Sequence, residues 1–187
     1  MTQGGSVSTH VGAKAPEGDP SYFRPLMDTS ASIVTRNLSH VYETRAGRVE
    51  ALHHVELHVS TGTLVAILGP SGCGKSTLLR LVGGLIPPCQ GEVQLHGRAP
   101  LDARGQFKLG WLAQDDGLLP WKTVAENVGL ALELGGRGPA DATRVTAMLE
   151  RVGLGDSLRR YPHELSGGMR QRAALARALV NEPAFLF

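Results

Sequence analysis

The stretch Gly69–Thr77 reads G-P-S-G-C-G-K-S-T. It fits the phosphate-loop pattern G-x-x-x-x-G-K-S/T without a gap. The apolar run before it, Thr63–Leu68, has the length and β-branched content of a buried strand, and Ser76–Val82 after it has helical spacing of apolar residues. The sequence therefore predicts a strand, a glycine-rich loop and a helix in succession, the context in which this pattern binds nucleotide phosphates.

The residue types of the loop explain this expectation. Glycines allow backbone conformations in which successive N–H groups point at a phosphate chain, and the loop ends at a helix N-terminus, where unpaired N–H groups and the helix dipole favour an anion. We expect Lys75 to reach the β- and γ-phosphates and the Ser76 hydroxyl to ligate Mg²⁺. A glycine-rich turn that fits by chance is the alternative, which the flanking strand and helix disfavour. The predicted phosphate-binding residues are Gly69, Pro70, Ser71, Gly72, Cys73, Gly74, Lys75, Ser76 and Thr77.

Composition limits the other classes of function. The chain has 187 residues, enough for one domain with a small subdomain, and a net charge of +2, too small to argue for a nucleic-acid partner. No apolar run approaches the ~18 residues that span a bilayer, and no secretory segment begins the chain. Its two cysteines, Cys73 and Cys89, suit a reducing compartment. We expect a cytosolic chain that reaches a membrane only through a partner.

The first half of the chain predicts a tail and a small sheet. Residues 1–30 are rich in Gly, Ser, Thr and Pro, which is typical of a disordered tail, and residues 31–187 form the expected domain. Three β-rich segments, Ser32–Leu38, Ser39–Glu43 and Val49–Val59, indicate an antiparallel sheet. Within it, Tyr42 fits an aromatic that stacks on adenine, but from the residues alone a half-buried strand tyrosine is favoured.

The second half alternates strands and helices. The predicted strands are Gly91–His96, Phe107–Ala113 (ending at Gln114) and Ala184–Phe187, and the predicted helices are Thr123–Leu134, Ala140–Val152 and Met169–Leu179. Thr123 and Glu126 have the spacing of a capping box. The loop between, Q-D-D-G-L-L-P-W, exposes Leu118, Leu119 and Trp121 as a protein contact or folds back onto its own domain.

Leu165–Arg172 reads L-S-G-G-M-R-Q-R. Glycines at a helix entrance expose N–H groups, and Ser166 adds a hydroxyl, so this turn is a second candidate anion site. Taken alone, the stretch is better explained as a helix cap followed by a solvated face that carries the arginines Arg170, Arg172 and Arg177.

The phosphate loop, Gln114 at a strand end and the L-S-G-G turn occur in this order in ATP-binding cassette (ABC) ATPases, and the chain resembles that family from about Ser32 to Phe187. The resemblance implies an α/β P-loop NTPase fold: a RecA-like parallel core, an N-terminal antiparallel β subdomain, and an α-helical subdomain at about residues 120–180. The cofactors it implies are ATP and Mg²⁺.

The resemblance also assigns roles. Tyr42 matches the aromatic that stacks on adenine, so the resemblance favours this role over that of a half-buried strand tyrosine. Gln114 resembles the glutamine that meets Mg²⁺ and the attacking water. The signature residues Ser166, Gly167 and Gly168 are similar to those that contact ATP held by a second protomer in a head-to-tail dimer. His163 is given only a structural role.

Residues 114–128 resemble the corresponding stretch of importers of nitrate, sulfonates, taurine and thiamine-precursor pyrimidines. There, the resemblance implies, Leu118–Trp121 docks on a permease at the cytoplasmic face of the inner membrane, and an external solute-binding protein selects the substrate. The implied function is ATP hydrolysis coupled to uptake of a small anionic or sulfonate-like solute.

The sequence departs from the family at two places. Thr63 stands where a glutamate is usual, a mild change. After Ala184–Phe187 the family continues into an Asp that holds Mg²⁺, a Glu that polarises water and a switch histidine, none of which is in this sequence. We therefore expect a truncated chain, an incomplete core sheet and no turnover by these 187 residues alone. A non-catalytic nucleotide-binding module and a non-transport ABC protein are the alternatives.

Overall fold

The computed structural model describes residues 32–45, 47–102, 109–134 and 141–187. The predicted tail at residues 1–30 lies outside these ranges. Contacts between Cα atoms divide the chain into two compact units, Met1–Gln106 and Phe107–Phe187. In the described ranges, no helix is long and apolar enough to cross a membrane.

The first unit contains a three-stranded antiparallel sheet in the order β2-β1-β3, where β1 is Ile33–Thr44, β2 is Gly47–Val59 and β3 is Gln90–Leu95. The two segments predicted on either side of Leu38 are one strand, β1, whose pairing with β2 shifts register between Thr35 and Val41. Helix α1, Lys75–Val82, contacts all three strands. The buried apolar side chains of these elements are Leu38, Leu52, Val59, Leu78, Leu81, Val82, Val93 and Leu95.

The predicted buried strand Thr63–Leu68 is wrong for this structure. These residues belong to no strand, and Leu64 and Leu68 are 97% and 83% exposed. A strand exists only where a neighbour completes its ladder of hydrogen bonds, and no strand in the described part of the chain pairs with this segment. Apolar, β-branched composition has therefore not been sufficient to form or bury it.

The second unit is mainly helical. Its helices are α2 (Val124–Leu134), α3 (Ala142–Arg151) and α4 (Gly167–Leu179), and short 3₁₀ turns lie at Gly155–Ser157 and Pro162–Glu164. The three helices enclose one apolar core, to which α2 contributes Val124 and Val128, α3 contributes Leu149, and α4 contributes Ala173 and Ala176. Alanines on α4 bring its backbone close to the other two helices.

A short parallel pair completes the second unit, with β4 at Leu109–Gly110 and β5 at Phe185–Leu186. The strand predicted over Phe107–Ala113 is shorter than expected in its described part, and residues 107 and 108 lie outside that part. Gln114 therefore follows three residues without regular secondary structure rather than the last residue of a strand.

The helix starts follow the capping signals. The predicted capping box at α2 is confirmed: the Thr123 N–H donates to Glu126 Oε2 at 2.7 Å, and the Glu126 N–H donates to Thr123 Oγ1 at 3.3 Å. At α3, the Asp141 carboxylate accepts from the N–H groups of Thr143 and Arg144.

Candidate nucleotide site

The phosphate loop takes a backbone conformation that requires glycine. Gly72 and Gly74 have φ of +81° and +93°. A Cβ atom on Gly74 would lie 2.4 Å from the carbonyl oxygen of Ala51, which is shorter than any real contact of that kind. The loop therefore turns into α1 through a position that no side chain can occupy, against the backbone of β2.

Lys75 is the first residue of α1, and its ammonium group folds back onto the loop. Nζ donates to the carbonyl oxygens of Gly69 at 2.9 Å and Pro70 at 2.7 Å, and lies 3.5 Å from the sulfur of Cys73. No side chain caps the N-terminus of α1 at Gly74. The loop thus combines a cation and uncapped helix N–H groups within one turn, which is the chemistry that binds a phosphate.

Tyr42 is connected to the helix that follows this loop. Its hydroxyl lies 3.4 Å from Oγ1 of Thr77, and the ring of His40 meets its ring edge-on at 4.6 Å between centroids. Tyr42 is half-buried on β1. Its stacking on adenine stays a prediction, but the tyrosine is in the same unit as the phosphate loop and hydrogen-bonded to α1.

The donor set for Mg²⁺ is sparse. Ser76 is exposed beside Lys75, and in the described ranges no three His, Cys, Asp or Glu side chains converge to hold a metal. Mg²⁺ in nucleotide sites keeps several waters and binds mainly to phosphate oxygens, so one hydroxyl fits that pattern. Gln114, the second predicted ligand, is exposed in the second unit.

The second candidate anion site begins α4. Ser166 is the N-cap, with φ of −65° and ψ of 161°, and its Oγ accepts from the Met169 N–H at 3.3 Å. Gly167 and Gly168 are exposed, and a Cβ on Gly168 would meet nothing within 4 Å. Ser166 therefore caps the helix, as predicted, and the two glycines of the candidate anion site lie exposed in the same turn.

The sequence suggested that the arginines of α4 form a solvated face, but Arg170 and Arg177 are half-buried and only Arg172 is exposed. Arg170 donates through Nη1 to the Leu165 carbonyl at 2.8 Å and through Nε to Asp116 Oδ2 at 3.1 Å. Arg177 donates to the carbonyl oxygens of Asp116 and Gly117, both at 2.7 Å. Burial lowers the pKa of Arg177, and the charge of Asp116 opposes that shift.

Arg172 also donates hydrogen bonds to backbone carbonyls, but on the segment that follows α3. Its Nη1 donates to the carbonyl oxygens of Val152 at 2.9 Å and Gly153 at 3.2 Å, at the end of α3. Each of these partners is distant in sequence, so helical periodicity alone gave no sign of them.

The loop Gln114–Trp121 is fixed by the burial of Leu118 and by hydrogen bonds with Asn127. Leu118 is buried in the helical core, which agrees with the alternative that this loop folds back onto its own domain, whereas Trp121 is 70% exposed. Asn127, fully buried on α2, accepts from the Leu119 N–H at 2.7 Å and donates to the Leu119 and Lys122 carbonyls at 3.1 and 3.0 Å. Sequence reasoning missed Asn127; a polar residue at a buried position of a predicted helix was its only signal.

A family model described as ABC transporter matches residues 52–187, well over half of the chain. The chain belongs to the ABC transporter family. This ABC chain is 50% identical over 141 residues, 75% of its length, to the aliphatic sulfonates import ATP-binding protein SsuB of Pseudomonas putida, of which the match covers 49%. It is 39% identical over 151 residues, 80% of its length, to an uncharacterized ABC transporter ATP-binding protein of Bacillus subtilis, of which the match covers 57%. The predicted resemblance to sulfonate-type importer ATPases is therefore confirmed.

Solved structures agree with this family. An ATP-binding cassette solved as a dimer in a post-hydrolysis state with ADP and Pi is 32% identical, with a TM-score of 0.75 over 82% of this ABC chain and 72% of that chain. The predicted fold class, a P-loop NTPase with an incomplete core, is confirmed; in the described residues only β4 and β5 form a parallel pair. The chain spans about half the length of the curated relatives it matches.

Proposed function

We propose that this chain is the ATP-binding part of an importer subunit that couples ATP binding and hydrolysis to uptake of a small sulfonate-like anion. The observation that carries the proposal is the phosphate loop. Lys75 is bonded to the loop's own carbonyls at 2.7 and 2.9 Å, directly before a helix whose N–H groups lack a side-chain cap. The sulfonate class rests on the 50% identical relative, whose name states that import.

On nucleotide binding, Lys75 would exchange its hydrogen bonds to the loop carbonyls for hydrogen bonds to phosphate oxygens. A bound triphosphate offers oxygens with a full negative charge, so the Lys75 ammonium leaves the neutral carbonyls of Gly69 and Pro70 for them. The glycine-lined turn stays in place because its φ angles need no side-chain support. Ser76 and Gln114 would be the residues that hold Mg²⁺, which would neutralise part of the charge of the bound triphosphate. Tyr42 binds the adenine face.

A second protomer completes the site in this proposal. Ser166, Gly167 and Gly168 are exposed at the start of α4, so they are available to a γ-phosphate held by another copy. The dimeric cassette with ADP and Pi supports such an assembly. Permease contact is assigned to Leu119 and Trp121, since Leu118 is buried in the core of its own unit. The subunit would lie at the cytoplasmic face of the inner membrane, and an external solute-binding protein would deliver the solute.

The test uses the full-length protein with the substitution Lys75→Ala. We expect it to lose ATP turnover and binding of a non-hydrolysable ATP analogue, measured by calorimetry, and cells that carry it to lose uptake of a labelled alkanesulfonate. Arg80→Ala is the matched control, since Arg80 is an exposed cation on the same helix outside the loop. Unchanged turnover in the Lys75→Ala protein would refute the proposal. If the wild-type protein binds the analogue without turnover, the non-catalytic module is the correct alternative.

A further inference from the structure

The loop Gln114–Trp121 receives three side chains of α4. Gln171 Nε2 donates to the Gln114 carbonyl at 3.3 Å, Arg170 Nε binds the Asp116 carboxylate at 3.1 Å, and Arg177 donates to two carbonyls at 2.7 Å. The partners are 54 to 61 residues away in the chain. One helix therefore fixes the backbone of the loop at Gln114, Asp116 and Gly117.

Asp116 organises the middle of the loop. One carboxylate oxygen binds Arg170, and the other accepts from the Leu118 N–H at 3.1 Å. The carbonyl of the same residue accepts from Arg177. Because Leu118 is then anchored in the helical core, Asp116 joins the loop to α4 and to the core at the same point.

The two arginines differ in what they can fix. Arg170 binds a side chain, whereas the guanidinium of Arg177 holds the carbonyls of two successive residues with Nη1 and Nη2. Two donors in a rigid planar fork set the orientation of a peptide as well as its position. Arg177 is also partly removed from water, as its lowered pKa reflects, so its hydrogen bonds are less exposed to competition from solvent.

We propose that Arg177, with Arg170 and Asp116, positions Gln114 for the reaction, so that the helix that begins at Ser166 also sets the geometry of the glutamine loop. This inference rests on the proposed function, because it assumes that Gln114 meets Mg²⁺ and the attacking water. Arg177 does not contact the nucleotide; it acts through the backbone at Asp116 and Gly117. The consequence is that a displacement of the loop, for example on contact at Trp121, also displaces the turn at Ser166.

The experiment compares Arg177→Ala, Arg177→Lys and Arg172→Ala in the full-length protein. Arg172 is the matched control because it lies on the same helix and also donates to two successive carbonyls, but on the segment that ends α3. Turnover is measured against ATP and Mg²⁺ concentration, hydrogen exchange of residues 114–119 is followed by mass spectrometry, and thermal unfolding reports stability.

For Arg177→Ala we expect kcat to fall by up to about 100-fold, the scale set by a misplaced catalytic group, with little change in KM for ATP. More Mg²⁺ is needed for half-maximal turnover, and residues 114–119 exchange faster. Arg177→Lys restores part of kcat, since a lysine keeps the charge and N–H donors but lacks the rigid planar fork that orients the two carbonyls. Arg172→Ala lowers the unfolding temperature and leaves kcat and the exchange of 114–119 unchanged.

Two results would overturn the inference. One is unchanged exchange at 114–119 in Arg177→Ala, which would show that the loop does not depend on this side chain. The other is a loss of kcat that is equal in Arg177→Ala and Arg172→Ala and follows stability alone. Neither result bears on the proposed function, which fails instead if the wild-type protein neither binds nor hydrolyses ATP; in that case the exchange measurement still decides whether Arg177 holds the loop.

Discussion

The two glycine-rich turns of this molecule both lead into a helix, but they differ in backbone conformation and in how the helix N-terminus is capped. Before α1, Gly74 has a left-handed φ of +93° and touches the backbone of Ala51, and no side chain caps the helix. Before α4, Ser166 caps the helix with its hydroxyl, and Gly168 has open space around its Cα. The first turn is fixed by close backbone approach, and the second is fixed by side chains.

The cations on the two helices that follow these turns differ in the same way: Lys75 begins α1, whereas Arg177 lies in the last turn of α4. Lys75 donates to carbonyls five and six residues before it, within the loop itself. Arg177 donates to carbonyls 60 and 61 residues before it, on a separate loop. The first turn is therefore a local structure with a cation that a ligand can draw away, whereas the second belongs to a framework that joins α4 to distant segments.

The largest expected effect tests the glycine contrast. Gly74→Ala should destabilise the full-length protein by about 4 kcal/mol, since a left-handed φ costs an alanine roughly 1–2 kcal/mol and overpacking adds about 1–3 kcal/mol. Urea unfolding measures the loss. The control Gly168→Ala should be neutral or slightly stabilising, because alanine is favoured over glycine inside a helix by up to about 1 kcal/mol. Similar losses in the two variants would show that the turns do not differ as described.

A smaller effect tests the framework of the second unit. Asn127→Ala should lower the free energy of unfolding by about 3 kcal/mol, since it removes the partner of the Leu119 N–H and a donor to the Lys122 carbonyl, at roughly 1–3 kcal/mol for each buried group that stays unpaired. The Leu119 carbonyl keeps its hydrogen bond from the Lys122 N–H. Asn181→Ala is the control, because within the described residues the Asn181 side chain makes one hydrogen bond, of 3.4 Å to the Ala131 carbonyl. An equal loss in both proteins, measured by urea unfolding, would contradict a special role for Asn127.

Motifs whose interacting residues are close in sequence could be predicted, whereas contacts between distant residues could not. The capping box at Thr123 and the Ser166 cap each join residues three positions apart, and the phosphate loop is the continuous run Gly69–Thr77, so the sequence displays these motifs directly. The contacts of Arg170 and Arg177 do not show in any periodicity, because an arginine on a helix has the same spacing whether it meets water or a carbonyl.

Burial also could not be predicted where it depends on distant packing. The sequence leaves open whether Leu118 is exposed or folds back onto its own domain, and the packing that decides this comes from helices that begin at Val124, Ala142 and Gly167. Thr63–Leu68 was expected to be buried because it is apolar, but burial of a strand depends on neighbours that its own residues do not specify. In both cases the sequence pattern of the segment carries no information on the elements that pack against it.

The smallest expected effect concerns how the helices respond to acid. Glu126 accepts from the N–H and the hydroxyl of Thr123, and these hydrogen bonds lower its pKa; no acidic residue lies in the first turn of α1. A carboxylate with a lowered pKa stabilises the folded state above the ordinary glutamate pKa of about 4.3 and loses that contribution as the pH falls through the folded value. Stability of the full-length protein should therefore decline slightly more on acidification than stability of Glu126→Gln, whose amide oxygen still accepts from Thr123 but does not titrate. Urea unfolding at pH 7 and at pH values below 4.3 measures the difference, and parallel pH dependence in the two proteins would show that the capping box does not contribute.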